Sequence, residues 1–187
     1  KRDVHTETQD FLKGHGINLH RGDVKPIVFS ILYYAGVPRL TQILGDEELA
    51  VLVYSRLTTL YAGFYEWAEW HWSQVQATGV SVSMPPFRHR RRIHINDPHA
   101  KKQAINHPIQ SPAGYITKAA MRELGFEPGN LDFVNQIHDE LHYFKDKEDK
   151  ETAKRVYDAM MSVGEKYLPN VGIKVAMEES KWWKPKL

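Results

Sequence analysis

Cysteine is absent from the 187 residues. That excludes disulfide staples and thiolate metal sites. It fits a reducing compartment, and a cytoplasmic setting is expected. No apolar run reaches the ~18 residues of a membrane span, no secretory signal opens the chain, and no membrane partner is expected. There is no internal repeat and no low-complexity linker. An excess of one sign of charge is lacking as well: 25 Lys and Arg against 23 Asp and Glu leave a net charge of +2, so total charge names no partner. The hydrophobic share of 42% suffices for one domain, or for two small lobes sharing a core.

The positive charge that is present is unevenly placed. "FRHRRRIHIND" packs four Arg and two His into one short run, and "SKWWKPKL" closes the chain with Lys and Trp. Local clusters of this kind suit phosphate better than an even surface does. The opening "KRDVHTETQDF" has no initiator Met and resembles the interior of a longer polypeptide, so a fragment or a processed piece is expected.

Hydrophobic spacing and breaker residues divide the chain. Residues 3–13 are expected to form a short helix, and "KPIVFSILYYAG" an apolar helix closed by Gly36. Residues 38–79 carry apolar residues at helical spacing and should make two or three helices, with a candidate break at Gly63. "VSVSMPPFRHRRRIHI" alternates like strand but holds two prolines, which predicts a β-ribbon or an extended arm. "DPHAKKQAINHPIQSPAGYITKAAMRELGF" is mostly helical, and Pro108 and Pro112 are expected to bend or divide it. "GNLD" reads as a turn, "LDFVNQIHDELHYFK" as two strands with a tight turn at His138, Asp139 and Glu140, "DKETAKRVYDAMMSVGEKYL" as an amphipathic helix and "GIKVAMEE" as a last strand. The class is α+β, with a helical first part and a small antiparallel sheet late in the chain.

One helix invites a functional reading. Arg21, Lys25, Phe29 and Tyr33 are spaced by four, and four residues of α-helix turn about 400°, so each step drifts only ~40°. The stripe holds two cations, then a ring, then a phenol. Cations meet phosphates, and rings stack on a base or press on a sugar. The plainer reading is that Phe29 and Tyr33 are core and the cations a solvated end. Pro26 also disfavours α geometry at Lys25, which would put the helix start there and Arg21 on the lead-in loop. Among the ten His residues, the pairs His89/His94 and His138/His142 match no metal motif with a full ligand set. Trp67, Trp70 and Trp72 read as helix-bundle core and partner packing.

These residues resemble family-A DNA polymerases. "RGDVKPIVFSILYY" is similar to that family's fingers helix, "DVHTET" to the segment before it, "AINHPIQSPAGYITKAAM" to its Ala-x-Asn-x-x-x-Gln helix, and "QIHDEL" to the His-Asp-Glu turn of its palm. "GVSVSMPPFRHRRR" stands where the family has a Gly-x-x-x-Thr and Arg-Arg-Arg arm. The matches arrive in the family's order over nearly the whole chain, and "QSPAG" resembles phage-type members. The resemblance implies a fingers subdomain with its basic arm over residues 1–100 and the C-terminal part of the palm over 101–187. It implies that His5, Arg21 and Lys25 contact the incoming triphosphate, Lys25 with a catalytic part as well. Phe29 would lie by the sugar, where Phe disfavours nucleotides lacking the 3′ hydroxyl and Tyr admits them. Tyr33 would guard the insertion site. Asn106 and Gln110 would touch the primer–template minor groove, whose shared acceptors suit an enzyme that must accept every correct pair. Lys102, Arg90, Arg91 and Arg92 would contact DNA. His138 would approach the primer end, Asp139 would bind metal and Glu140 would support the site. Two Mg²⁺ ions, primer–template DNA and dNTPs are the implied cofactors and partners, in a bacterial cell or a phage-infected host.

The sequence departs from the family pattern in places. The family's other metal-binding Asp, in an Asp-Tyr-x-x-x-Glu motif before "DVHTET", has no counterpart in these residues. The chain alone is therefore expected to be inactive and to need an N-terminal remainder, on the same or a separate chain. Lys102 replaces an Arg and loses its bidentate fork, and Tyr115 replaces an acidic residue. The alternative is a catalytically silent DNA-binding module with the same fold. A metal-dependent nuclease built on the His-Asp-Glu turn lacks a second acidic cluster.

Overall fold

A computed structural model of the protein describes residues 3–125, 133–146, 149 and 151–179. Among them are seven helices and two two-stranded antiparallel sheets, an α+β fold. The turn expected at 129–132 and the Lys/Trp-rich run at 180–187 lie outside the described residues. The chain forms two compact units, Lys1–Met84 with Arg88–Ile109, and Pro85–Phe87 with Gln110–Leu187.

In the first unit, α1 (Val4–Gly14), α2 (Arg21–Leu32), α3 (Val37–Leu44) and α4 (Glu47–Leu60) share one core of Leu12, Ile17, Ile27, Ile31, Leu40, Ala50, Val53 and Leu57. Capping sets the breaks between them. Asp46 accepts the Leu49 amide at 2.9 Å and starts α4, satisfying one of the helix's orphan donors. Gly45 ends α3 in the left-handed conformation that glycine adopts without a Cβ clash. The expected break at Gly63 falls instead at Tyr61, the shared cap of α4 and α5 (Ala62–Thr78), and Gly63 lies inside α5. The Tyr61 hydroxyl lies 2.6 Å from the buried Thr8 hydroxyl of α1, and that contact fixes the corner.

α2 corrects two expectations. It begins at Arg21 and carries Pro26 inside it. The His20 ring takes the cap, accepting the Gly22 amide at 3.1 Å. Burial of Val24, Ile27, Val28 and Ile31 on one face outweighs the amide donor lost at Pro26. Gly36 does not close α2 but caps the start of α3. The end of α2 is a Schellman motif, with the Ala35 amide bonded to Ser30 O at 2.8 Å and the Tyr34 amide to Ile31 O at 2.9 Å. The left-handed residue it requires is Tyr34, with φ 56°.

A second core joins Val75 of α5, Ile93, and Ala100 and Ala104 of α6 (Ala100–Glu123), with Trp72 against it. Trp70, expected in the core or against a partner, is 58% exposed. β1 (Val80–Val82) pairs antiparallel with β2 (Arg90–Arg92) in the expected ribbon. At its base Ser81, fully buried, donates to Ala104 O at 3.1 Å and lies 3.0 Å from both His71 Nε2 and His107 Nδ1. Its single proton is committed to the carbonyl, so both imidazoles donate to it. Burial pushes both rings below the ordinary imidazole pKa, and the charges of Arg91 and His89 add to the effect at His107. The unfolded chain then binds protons that the folded chain refuses. Stability should be full above pH 6.5, the ordinary value, and should decline as pH falls below it. Denaturant midpoints measured from pH 8 to pH 5 check this, and a flat profile refutes it.

α6 runs unbroken past Pro108 and Pro112, so the expected division does not occur. β3 (Phe133–Ile137) pairs antiparallel with β4 (Glu140–Tyr143), with a register irregularity between Phe133 and Asn135. α7 (Glu151–Tyr167) buries Ala153, Val156, Ala159 and Val163. The rings of Phe87, Tyr115 and Tyr167 lie 5.4–5.6 Å apart in one cluster. Residues 172–179 form no strand, contrary to expectation. Ile173 packs instead on Gly164 of α7, so closely that a Cβ there would lie 2.9 Å from Ile173 Cγ2.

Candidate functional site

The stripe on α2 is a surface. Arg21, Lys25, Phe29 and Tyr33 are all exposed, Phe29 by 42% and Tyr33 by 36%, while Val24, Ile27, Val28 and Ile31 on the opposite side are fully buried. The two faces are what a period of 3.6 produces when one side docks on a core. Phe29 and Tyr33 therefore do not belong to the core. Their rings lie 6.4 Å apart and 22° from parallel, and the His5 ring lies 5.6 Å from Phe29. The buried Nδ1 of His5 has no hydrogen-bond partner among the described residues, which is uncommon for an imidazole. Arg21, the first residue of α2, bridges Asp3 at 2.5 Å, and that bond holds the Asp3 carboxyl below its ordinary pKa. Lys25 lies one turn further along the same exposed face.

Tyr33 caps the C-terminus of α2, and its carbonyl accepts the Asn106 amide at 3.5 Å. Asn106 comes from α6, as does Lys102, exposed one turn earlier. Asn106 Oδ1 is buried without a partner among the described residues. Arg90, Arg91 and Arg92 are exposed on β2, and Arg91 donates to Gln103 Oε1 of α6 at 3.2 Å. The first unit thus gathers His5, the α2 stripe and Asn106, with the arginine ribbon and Lys102 on neighbouring elements. Gln110, also on α6, is exposed in the second unit.

The second unit carries the hairpin tip. His138 and Asp139 form the two-residue connection between β3 and β4, and Ile137 pairs with Glu140 across it. His138 has φ 52°, the positive value that tight hairpin connections require. Its carbonyl accepts Gln136 Nε2 at 3.0 Å. His138, Asp139 and Glu140 are all exposed, and Glu140 Oε2 lies 3.3 Å from His142 Nε2. A carboxylate raised on a hairpin tip is the hard oxygen donor that Mg²⁺ accepts. The described residues contain no group of three His, Asp or Glu placed to hold a metal. Asp139 and Glu140 supply oxygen donors of the kind Mg²⁺ takes, but the described residues do not complete a pair of such sites. No described helix is long and apolar enough to cross a membrane.

Beside Tyr33 lies a cluster that the sequence motifs do not include. The Tyr34 hydroxyl donates to Glu69 Oε1 of α5, and Lys101 of α6 reaches both Glu69 oxygens at 2.6 and 2.8 Å. The same ammonium lies 5.1 Å from the Tyr34 ring centroid. One signal was available in the sequence, a tyrosine at the position past a helix end that glycine usually occupies.

A family model described as DNA polymerase family A matches residues 1–185. No curated protein matches the chain. Among solved structures, the polymerase domain of Pol1 from M. smegmatis, in complex with DNA primer-template and dNTP, is similar in fold. The TM-score is 0.66 at 22% identity, over 87% of this chain and 31% of that one.

Proposed function

Since the chain belongs to DNA polymerase family A, we propose that it forms the fingers and part of the palm of a template-directed DNA polymerase, which transfers nucleotides to a primer 3′ end. The exposed stripe on α2 carries this reading. A helix that buries four aliphatic side chains and presents Arg21, Lys25, Phe29 and Tyr33 to solvent has the chemistry to take a nucleotide along its length. Lys25 and Arg21 would bind phosphate oxygens, with His5 supplying a further imidazole donor. Phe29 would press on the sugar and Tyr33 would limit the space for the base. Asn106 and Gln110 would read the minor groove, while Lys102 and the Arg90–Arg92 strand would bind duplex phosphates.

Asp139 would hold metal, with His138 and Glu140 beside it. The chemistry a bound Mg²⁺ pair supplies is stabilisation of charge on the attacking and leaving oxygens. The described residues contain no group of three side chains placed to hold a metal; on this reading the further carboxylates would come from a portion of the polymerase upstream of these residues, on the same chain or another. That same shortage favours a second reading for the isolated chain, a silent module that binds duplex without extending it.

Primer extension with and without the upstream portion separates the two. Extension only when both are present supports the polymerase; duplex binding with no rescue supports the silent module. Within the active assembly, Phe29→Tyr should raise dideoxynucleotide use relative to deoxynucleotide by about 10-fold, the effect of one hydrogen bond replacing that of the missing hydroxyl. Competitive incorporation on one template measures it. An unchanged ratio would mean that Phe29 does not face the sugar.

A further inference from the structure

We infer that Lys101 and Glu69 are positioning residues for Tyr33: they clamp Tyr34 in its left-handed conformation and so fix the exposed end of α2 against α5 and α6. The inference rests on the polymerase reading of the α2 stripe for its functional consequence, but not for the clamp itself.

Tyr34 follows Tyr33 directly and has φ 56°. For a residue with a Cβ that conformation is disfavoured by about 1–2 kcal/mol. Beyond the two Schellman bonds of the helix end, the side chain offers no local compensation. Asn or Asp can hydrogen-bond its own backbone in this region, and glycine has no Cβ to clash, but tyrosine has neither remedy. Left to itself, the chain after Leu32 would favour right-handed or extended values. Both Schellman bonds, Ala35 to Ser30 and Tyr34 to Ile31, would then be lost, and the Tyr33 ring would swing with them.

Three contacts oppose that. The Tyr34 phenol donates to Glu69, Lys101 closes the triangle on both Glu69 oxygens, and the Lys101 ammonium covers the Tyr34 ring. The Tyr65 ring, 5.6 Å from that of Tyr34, backs it from α5. α6 grips the same corner twice, by Lys101 on the Tyr34 side chain and by Asn106 on the Tyr33 carbonyl. Lys101 also keeps Glu69 ionised, its carboxyl held below the ordinary value first by the Lys101 hydrogen bond and then by that of Tyr34. The triangle is half-exposed, so it contributes little to global stability. Its effect falls on the position of one ring.

The test uses the active assembly, with 3-fluorotyrosine placed at position 33 and the variants Lys101→Met, Glu69→Gln and Lys101→Arg. In Lys101→Met and Glu69→Gln the fluorine resonance should shift or broaden. The KM for dNTP should rise about fivefold with misinsertion, while kcat stays within about twofold, the scale of an exposed ion pair plus a cation–π contact. Lys101→Arg should retain the parent behaviour, because a guanidinium can both pair with Glu69 and cover the ring. A fluorine line unchanged in both variants overturns the inference. So does a change in kcat and KM that merely follows a lowered melting midpoint. If the line moves while the KM for dNTP and misinsertion do not, the clamp stands and the reading of the α2 stripe as the nucleotide surface is what has failed.

Discussion

Asp139→Ala, made in the active assembly, should abolish primer extension, with a loss of about a thousandfold or more, and should leave duplex affinity close to the parent. The scale follows from the charge a metal ligand helps to neutralise. Lewis-acid stabilisation of the reacting oxygens is worth several kcal/mol, and each ~1.4 kcal/mol is tenfold in rate. Duplex affinity should survive because Asp139 stands exposed on a hairpin tip and brings no positive charge to the phosphates. Removing a carboxylate there opens no cavity, and β3 and β4 keep their pairing from Phe133 to Tyr143. Single-turnover extension and a filter-binding titration are the two measurements. Activity within about tenfold of the parent would remove Asp139 from the metal site, since several kcal/mol of lost stabilisation cannot appear as so small a change.

Ser81→Ala should be the most damaging small substitution in the first unit. It deletes the one oxygen on which the His71 Nε2–H, the His107 Nδ1–H and the Ala104 carbonyl converge, leaving His71 and Ala104 only each other. Each buried polar group left unmatched costs about 1–3 kcal/mol; with some relaxation, a loss of about 2–4 kcal/mol is expected. Tryptophan fluorescence suits the measurement, because the Trp67 ring stacks on His71 with centroids 5.3 Å apart and reports this site directly. Denaturant unfolding of parent and variant gives the difference. A change under about 0.5 kcal/mol, the range of ordinary surface substitutions, would show that the network is not a structural joint.

The contrast between these residues shows what the sequence could tell. The α2 stripe was legible because a period of four is visible in the letters, and the helix realises it with one buried and one exposed face. The ribbon, the β3–β4 hairpin and α7 were legible through alternation, tight turns and amphipathic spacing. Pro26 misled, because the preference it imposes on Lys25 is local while the burial of Val24, Ile27, Val28 and Ile31 is tertiary and larger. Pro108 and Pro112 misled likewise within α6. "GIKVAMEE" has a strand-like composition, but composition names no partner, and the described residues offer it none. His71 was half legible. It shares a face with the buried Ala68 and Val75 of α5, so a polar ring at a core position should have prompted a search for its partner. That partner lies across a turn and on another helix, and nothing in the local sequence points there. The partners of Tyr34 in its clamp were invisible for the same reason, since the three members come from three separate helix ends or faces.

The contact between Gly164 and Ile173 reverses a common rule of helix chemistry. Inside a helix, alanine is normally the better residue than glycine by about 1 kcal/mol. At Gly164 the added methyl would meet Ile173 Cγ2 at 2.9 Å and Cγ1 at 3.0 Å, and an isoleucine branched at Cβ has little freedom to turn aside. What ties the stretch after α7 to that helix is thus a fit of bulk into a notch one methyl deep. A replacement that strengthens the helix in isolation would expel its neighbour.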